Sequence, residues 1–215
     1  MPSINTNVAA MLAMQNLSQT QAELATTQTR ISTGQKVSSA KDNGAIYAIA
    51  QNQRGSSVAL NAVRESLQRG QSAVDVALAA GDTISDLLNQ MKEKALAASD
   101  TQLNTSSRNA MSADFTSLRD QIGKAVSNAN FNGFNLIKNN PSDISALADE
   151  TGTSKLTIAA QDLSLGGGNV TVTASMDVST TANATAALTK VNESIKNVSL
   201  ALSKLGTGAK SLTTH

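Results

Sequence analysis

The sequence predicts a mainly α-helical fold, an elongated helical bundle or coiled coil that carries a small β-hairpin subdomain. Three observations predict it. Aromatic residues make up only 2% of the 215, with three Phe, one Tyr and no Trp, whereas a compact globule of this size buries several large rings. An apolar repeat in steps of three and four runs unbroken from Ile46 to Ala95, the pattern of a helix packed lengthwise on others. Between Ile137 and Thr180 that period vanishes, and short stretches alternate with period two instead, which is the signature of strands.

The long repeat visits Ile46, Ile49, Gln53, Ser56, Leu60, Val63, Leu67, Gly70, Val74, Ala77, Gly81, Ile84, Leu88, Met91 and Ala95, and eleven of these fifteen are apolar. A helix of that length extends roughly 75 Å at about 1.5 Å per residue. A second stripe, Ala59, Ala62, Ala73, Val76, Ala80 and Leu87, gives it two faces to bury and favours a bundle over a simple dimer. Leu188, Val191, Ile195, Val198, Leu202, Leu205, Ala209 and Leu212 repeat the same steps near the C-terminus. Such a helix gains about 1.5–3 kcal/mol for each Leu or Ile it buries and little from standing alone. The expected intramolecular seam therefore includes Ile49, Leu60, Val63, Leu67, Val74, Ile84, Leu88, Met91, Leu188, Val191, Ile195, Val198, Leu202 and Leu205.

A further helix is expected from about Ser106 to Ala129, with Met111, Phe115, Leu118, Ile122, Ala125 and Ala129 on one side. Ser99-Asp100 reads as a turn before it and Asn104-Thr105-Ser106 as its cap. An N-terminal helix from about Asn7 to Ser32 carries Val8, Met11, Leu17, Leu24 and Ile31, and Thr33-Gly34 offers a C-cap glycine. Gln35 to Lys41 is a polar linker, after which Asp42 or Asn43 can cap the long helix. Lys155-Leu-Thr-Ile-Ala and Asn169-Val-Thr-Val-Thr-Ala, with Gly166-Gly167-Gly168 as a turn between them, read as a β-hairpin or small β-subdomain. Ser175 to Thr185 reads as an exposed connection.

Composition excludes several functions. A net charge of +1 with 15% charged residues provides no field for nucleic acid or an anionic membrane. No apolar run approaches the ~20 residues that span a bilayer, so membrane insertion is not expected. The N-terminus lacks the basic and apolar regions of a cleaved secretory signal. With no cysteine, disulfides, thiolate metal sites and a Cys nucleophile are all absent. The single histidine, His215, stands at the end of the chain and supports neither a triad nor a His-rich metal site. Gly166 to Gly168 lacks the Lys-Ser/Thr of a phosphate loop. Asp143, Asp149 and Glu150 lack calcium-loop spacing. No catalytic constellation and no cofactor are expected.

Three blocks of residues carry a family resemblance. Ile4-Asn5-Thr6-Asn7, followed by Leu17, resembles the opening of bacterial flagellins. Arg30-Ile-Ser-Thr-Gly-Gln-Lys-Val-Ser-Ser-Ala-Lys-Asp42, with Ala48-Ile49-Ala50 after it, resembles their signature between the first two helices. Asn130-Phe131-Asn132-Gly133 is similar to their turn after the third helix. The blocks occur in family order, and the resemblance covers about Met1 to Ile137 strongly and the remainder by architecture.

The resemblance implies an antiparallel D0/D1-like arrangement. Residues 1–35 would be the D0-like helix and 36–42 the linker. Residues 43–137 would form the long and second D1-like helices, 138–180 the β subdomain and connection, and 181–215 the last D1-like helix. Large outer domains are expected to be missing, since the β segment leads almost directly into that last helix. Family members close with a segment that pairs with the N-terminal helix, and a stop at His215 reads as a C-terminally shortened flagellin. The implied function is that of a structural subunit of the flagellar filament, a homopolymer serving motility. Its assembly interface would be the D0-like stripe of Ile4, Val8, Met11, Leu17, Leu24 and Ile31. The implied partners are other flagellin subunits, the flagellar type III export apparatus, an export chaperone and the filament cap. The implied location is extracellular, in the filament, after export without signal cleavage.

Leu88 to Ala97 resembles the D1 patch used in subunit contacts, here with Gln90, Glu93 and Lys94. In some flagellins a Toll-like receptor reads that patch through an Arg where this chain has Gln90 and a Leu where it has Lys94. Poor receptor activation is therefore expected. The competing readings are a hook–filament junction protein, which shares a similar helical plan, and a signalling or secretion coiled coil, which leaves all three blocks unexplained.

Overall fold

The computed structural model describes residues 7–215. Its elements are α1 (Val8–Thr33), α2 (Gly44–Ala98), α3 (Thr105–Asn128), β1 (Ile144–Leu147), β2 (Lys155–Ile158) and α4 (Thr181–Thr214). The chain divides into two units, Met1–Val58 and Ala59–His215. The mainly helical class with a small antiparallel sheet is thus the fold observed.

In the first unit, each end of α1 is written in its local chemistry. The Asn7 side chain accepts the Ala10 N–H at 3.1 Å, satisfying one of the orphan donors of the first turn. At the other end Gly34 takes a left-handed φ of +64°, which a glycine adopts without steric cost. The next turn is closed by Asp42. Its Oδ2 accepts from Ser38 N, Ser38 Oγ and Ser39 N at 3.0–3.1 Å. Asn43 then caps α2 by accepting the Ile46 N–H at 3.0 Å.

In the second unit, α2, α3 and α4 share one core. Its largest fully buried side chains include Phe115, Ile84, Leu88, Met91, Ile122 and Leu205. α2 and α4 run antiparallel. Gly70 lies against Leu212 and Gly81 against Leu202, so advancing along one helix means retreating along the other. Both contacts place a leucine over a glycine, where the missing β-carbon lets the helices approach. α2 and α3 are likewise antiparallel, with Lys94 Nζ 2.9 Å from Asp114 Oδ2. Arg108 fastens the loop between them by donating to the carbonyls of Ala98 at 3.0 Å and Asp100 at 2.6 Å.

The expected seam differs from the structure at its start. Val63, Val74, Ile84, Leu88, Met91, Val191, Val198 and Leu205 are buried, and Leu67, Leu188, Ile195 and Leu202 pack against them. Ile49 and Leu60 are 58% and 52% exposed, so neither belongs to an intramolecular seam in this structure. Leu212, in the last turn of α4, already lies beside Gly70. Leu60 instead lines a surface groove of about 460 Å³ together with Val63, Leu67 and Leu212.

The hairpin also pairs differently. β2 does not pair with Asn169–Ala174. It pairs antiparallel with β1, in the register Ile144↔Ile158, Ser145↔Thr157, Ala146↔Leu156 and Leu147↔Lys155. Val170 and Val172 are fully buried, but the backbone between them is spent elsewhere: Thr171 N donates to Ser194 Oγ of α4 at 2.9 Å. A segment that sends its amide to a helix side chain is not a strand of the ladder. Gly166 does sit in a turn, with φ +74°. The connection expected over Ser175–Thr185 is shorter than its composition suggests, because Thr180 caps Asn183 N and α4 starts at Thr181.

Candidate assembly interface

Helix α1 is the element whose sequence and burial disagree most. Among its 26 residues none is buried. Val8, Met11, Leu17, Leu24 and Ile31 are each at least 57% exposed. Leu12 and Met14 are exposed as well, one turn from Val8 and from Met11 and Leu17, so they widen the same apolar surface. Ile4 lies outside the described residues. α1 carries few charges, Glu23 and Arg30, so the exposed apolar side chains are diluted by Ala, Thr and Gln and not by ions. Leaving so many large apolar groups in water forgoes about 1.5–3 kcal/mol apiece, and contiguous patches of this kind mark association surfaces.

The helix is also weakly self-sufficient. Thr20, Thr26, Thr27, Thr29 and Thr33 each turn the hydroxyl back onto the carbonyl four residues earlier, at 2.7–2.9 Å. Such back-bonding slightly weakens helices, and β-branched residues lower helix propensity. A partner surface would have to supply the stability that the chain withholds here.

The block from Arg30 to Asp42 now has a physical reading. Its glycine stops α1, its serines and aspartate lock the turn, and the following asparagine starts α2. The three hydrogen bonds from Ser39 and Ser38, the backbone amide of Ser39 foremost, hold the Asp42 carboxyl below the usual carboxylate range. The Asn130–Phe134 block is a tight turn. Phe131 and Phe134 exchange both backbone hydrogen bonds at 2.9 Å. Asn132 and Gly133 take φ of +51° and +87°, as a primed hairpin turn demands. Asn135, just beyond, is buried and donates to the Val126 carbonyl while accepting the Ile137 N–H. It closes the end of α3, a role that no motif announced.

Gln90 and Glu93 are exposed on α2 and Lys94 is half-exposed. The hydrogen bond to Asp114, then its charge, raises the Lys94 ammonium above its ordinary range. The three residues form no pocket with one another. His215 Nε2 lies 2.7 Å from the Ala148 carbonyl oxygen. No cluster of metal-ligating side chains occurs among the described residues, and no helix among them is long and apolar enough to cross a membrane.

Residues 4–142 match the profile of the bacterial flagellin N-terminal helical region. The chain belongs to the flagellins. Flagellin FljM of Caulobacter vibrioides is 53% identical over 213 residues, which are 99% of this chain and 77% of that relative. Flagellin FljK of the same organism is 51% identical with the same coverage. Flagellin C of Rhizobium meliloti is 37% identical over 66% of this chain and 43% of its own. The crystal structure of Bacillus cereus flagellin superposes with a TM-score of 0.61 at 22% identity, covering 70% of this chain and 85% of that one, which establishes the shared fold. As a flagellin, the chain is a structural subunit of the bacterial flagellar filament.

Proposed function

We propose that this flagellin polymerises through the apolar surface of α1, with Val8, Met11, Leu17, Leu24 and Ile31 buried between copies. The observation that carries the reading is the absence of any buried residue in a 26-residue helix that bears seven large apolar side chains. A chain that repeats this surface in every copy and joins it to a different surface of the next copy builds an open helical array when the rotation between copies does not close on itself. Ile4, outside the described residues, is assigned to the same interface from the sequence alone. Gln90, Glu93 and Lys94 form a lateral contact patch on α2. Gln90 and Lys94 supply neither the Arg nor the Leu that receptor-active flagellins place there, so Toll-like receptor signalling is weak.

The role is structural and not catalytic. The subunit reaches the cell exterior through the flagellar type III apparatus, without signal cleavage, aided by an export chaperone and built in under the filament cap. A weakly self-stabilised α1 suits passage in an unfolded form. Polymerisation of Leu17→Lys and Leu24→Lys variants, followed by sedimentation and electron microscopy, tests the reading. Filaments or co-assembly with a full-length flagellin from the parent chain, and their loss in the variants, support it. Assembly unaffected by both substitutions refutes it.

A further inference from the structure

We infer that Asn43 is a site of spontaneous covalent modification, at which the backbone nitrogen of Gly44 closes onto the Asn43 side-chain carbonyl carbon and expels ammonia, while the fold holds Asn132-Gly133 inert. These are the two Asn-Gly pairs in the sequence, and by sequence they are equivalent. Ring closure is easiest before glycine, which has no side chain to crowd the attacking nitrogen. Open space does not separate the two sites, since a β-carbon on either Gly44 or Gly133 would meet nothing within 4 Å. Hydrogen bonding separates them.

The nitrogen must lose its proton to attack. The Gly133 N–H is committed, donating to Asn130 Oδ1 at 2.9 Å. It also lies inside the turn that Phe131 and Phe134 clamp with two backbone bonds. The Gly44 N–H opens the first turn of α2 and finds no acceptor among the described residues. That position is one of the orphan donors of a helix start, where the aligned peptide dipoles favour developing negative charge. The electrophile is prepared too. Asn43 Oδ1 accepts the Ile46 N–H at 3.0 Å, which draws electrons from the carbonyl carbon and shelters the oxyanion that attack creates. The neighbouring Asp42 carboxylate has its Oδ2 already held by Ser38 and Ser39.

The balance of the step is simple. The Gly44 N–Cγ bond forms, the Cγ–Nδ2 bond breaks, and the proton from the Gly44 nitrogen leaves with the ammonia. Water then opens the five-membered imide at either carbonyl. One product is an aspartate at this position, still able to cap α2. The other is its β-linked isomer, whose lengthened backbone takes the capping oxygen away from Ile46. The second product accumulates with age and unfastens the start of α2.

The test is peptide mapping by mass spectrometry of the full chain, held at mildly alkaline pH in native buffer and, in parallel, in concentrated urea. In native buffer Asn43 is expected to convert at least about fivefold faster than Asn132, the factor that one retained hydrogen bond of ordinary net strength represents. In urea the two rates should converge. Asn130→Ala, which removes the acceptor for Gly133, should bring native Asn132 conversion toward that of Asn43, and Gly44→Ala should suppress conversion at 43. Native Asn132 converting as fast as Asn43 overturns the inference. So does an Asn43 that stays intact in native buffer while converting in urea.

Discussion

Ile158 Cγ2 stands 2.8 Å from the point that a β-carbon on Gly208 would occupy. Ile158 is buried, β-branched and fixed in the ladder of β2, so it has few ways to retreat. Two residues away in the same helix, Gly206 has open space at the same point. The pair separates backbone preference from packing. Gly206→Ala is expected to stabilise the protein by up to about 1 kcal/mol, through helix propensity and a less flexible unfolded chain. Gly208→Ala gains the same preference but overpacks the hairpin at a cost of about 1–3 kcal/mol, for a net loss. Urea denaturation of both variants checks the opposite signs.

Ser194 is fully buried on α4, donates to Lys190 O at 2.8 Å and accepts the Thr171 N–H. Ser194→Ala leaves that amide without its partner, and an unsatisfied buried donor costs about 1–3 kcal/mol. Thr171 is only half-buried, which places the expected loss toward the lower end. Amide hydrogen exchange should show protection at Thr171 falling more than protection at Val191 or Val198.

That same hydroxyl marks where the sequence stops being legible. Asn169–Ala174 alternates like a strand, and Val170 and Val172 do point into the core, but periodicity does not say where a backbone amide will find its acceptor. Ile144–Leu147 carries no legible strand signal, because four residues with one buried position leave little pattern. The turn that folds β1 onto β2 depends on Asp149, which gathers Thr151, Thr153 and Ser154 N around one carboxylate oxygen. Such closure is chemistry of position, invisible to a count of apolar steps. The long helices were legible for the opposite reason: dozens of residues repeat one instruction, and single exceptions such as Gln53 do not erase it. At the interface the α1 side chains were readable as apolar. That Ile49 and Leu60 share their exposure was not, because a heptad states that a residue wants a partner and never which surface covers it.

Acid should loosen the second unit in a definite direction. Asp177 accepts from Ser179 Oγ at 2.7 Å and from Asn183 Nδ2 at 2.9 Å, and these bonds, that from Ser179 first, hold its carboxyl below the ordinary range. Asp149, held first by Thr153, and Glu193, held first by Lys190, are lowered too. A carboxyl with a depressed folded-state pKa stabilises the fold fully above its unfolded value of about 4 and loses that contribution as pH falls through the folded value. Urea midpoints are therefore expected to hold steady from neutral pH down to about 5 and to decline below about 4. Asp177→Asn should flatten part of that decline. Lys94 works at the other end. Its raised pKa means that its contribution is complete below about 10 and fades as the ammonium deprotonates above that.

The two units should also part company under protease. α1 buries nothing, and isolated helices of its composition are marginal in water, so local opening there requires little free energy. Trypsin is expected to cut dilute, unassembled chain after Arg30, Lys36 and Lys41 well before it cuts after Lys92, Lys94 or Lys124 in the packed second unit. If α1 is covered in the polymer, cleavage at Arg30 should slow by orders of magnitude on assembly while the sites around Lys155 change little, because β2 is already tied into a ladder. Equal cleavage at Arg30 in free and assembled protein would show that polymerisation leaves α1 in solvent, and the apolar surface would need another explanation.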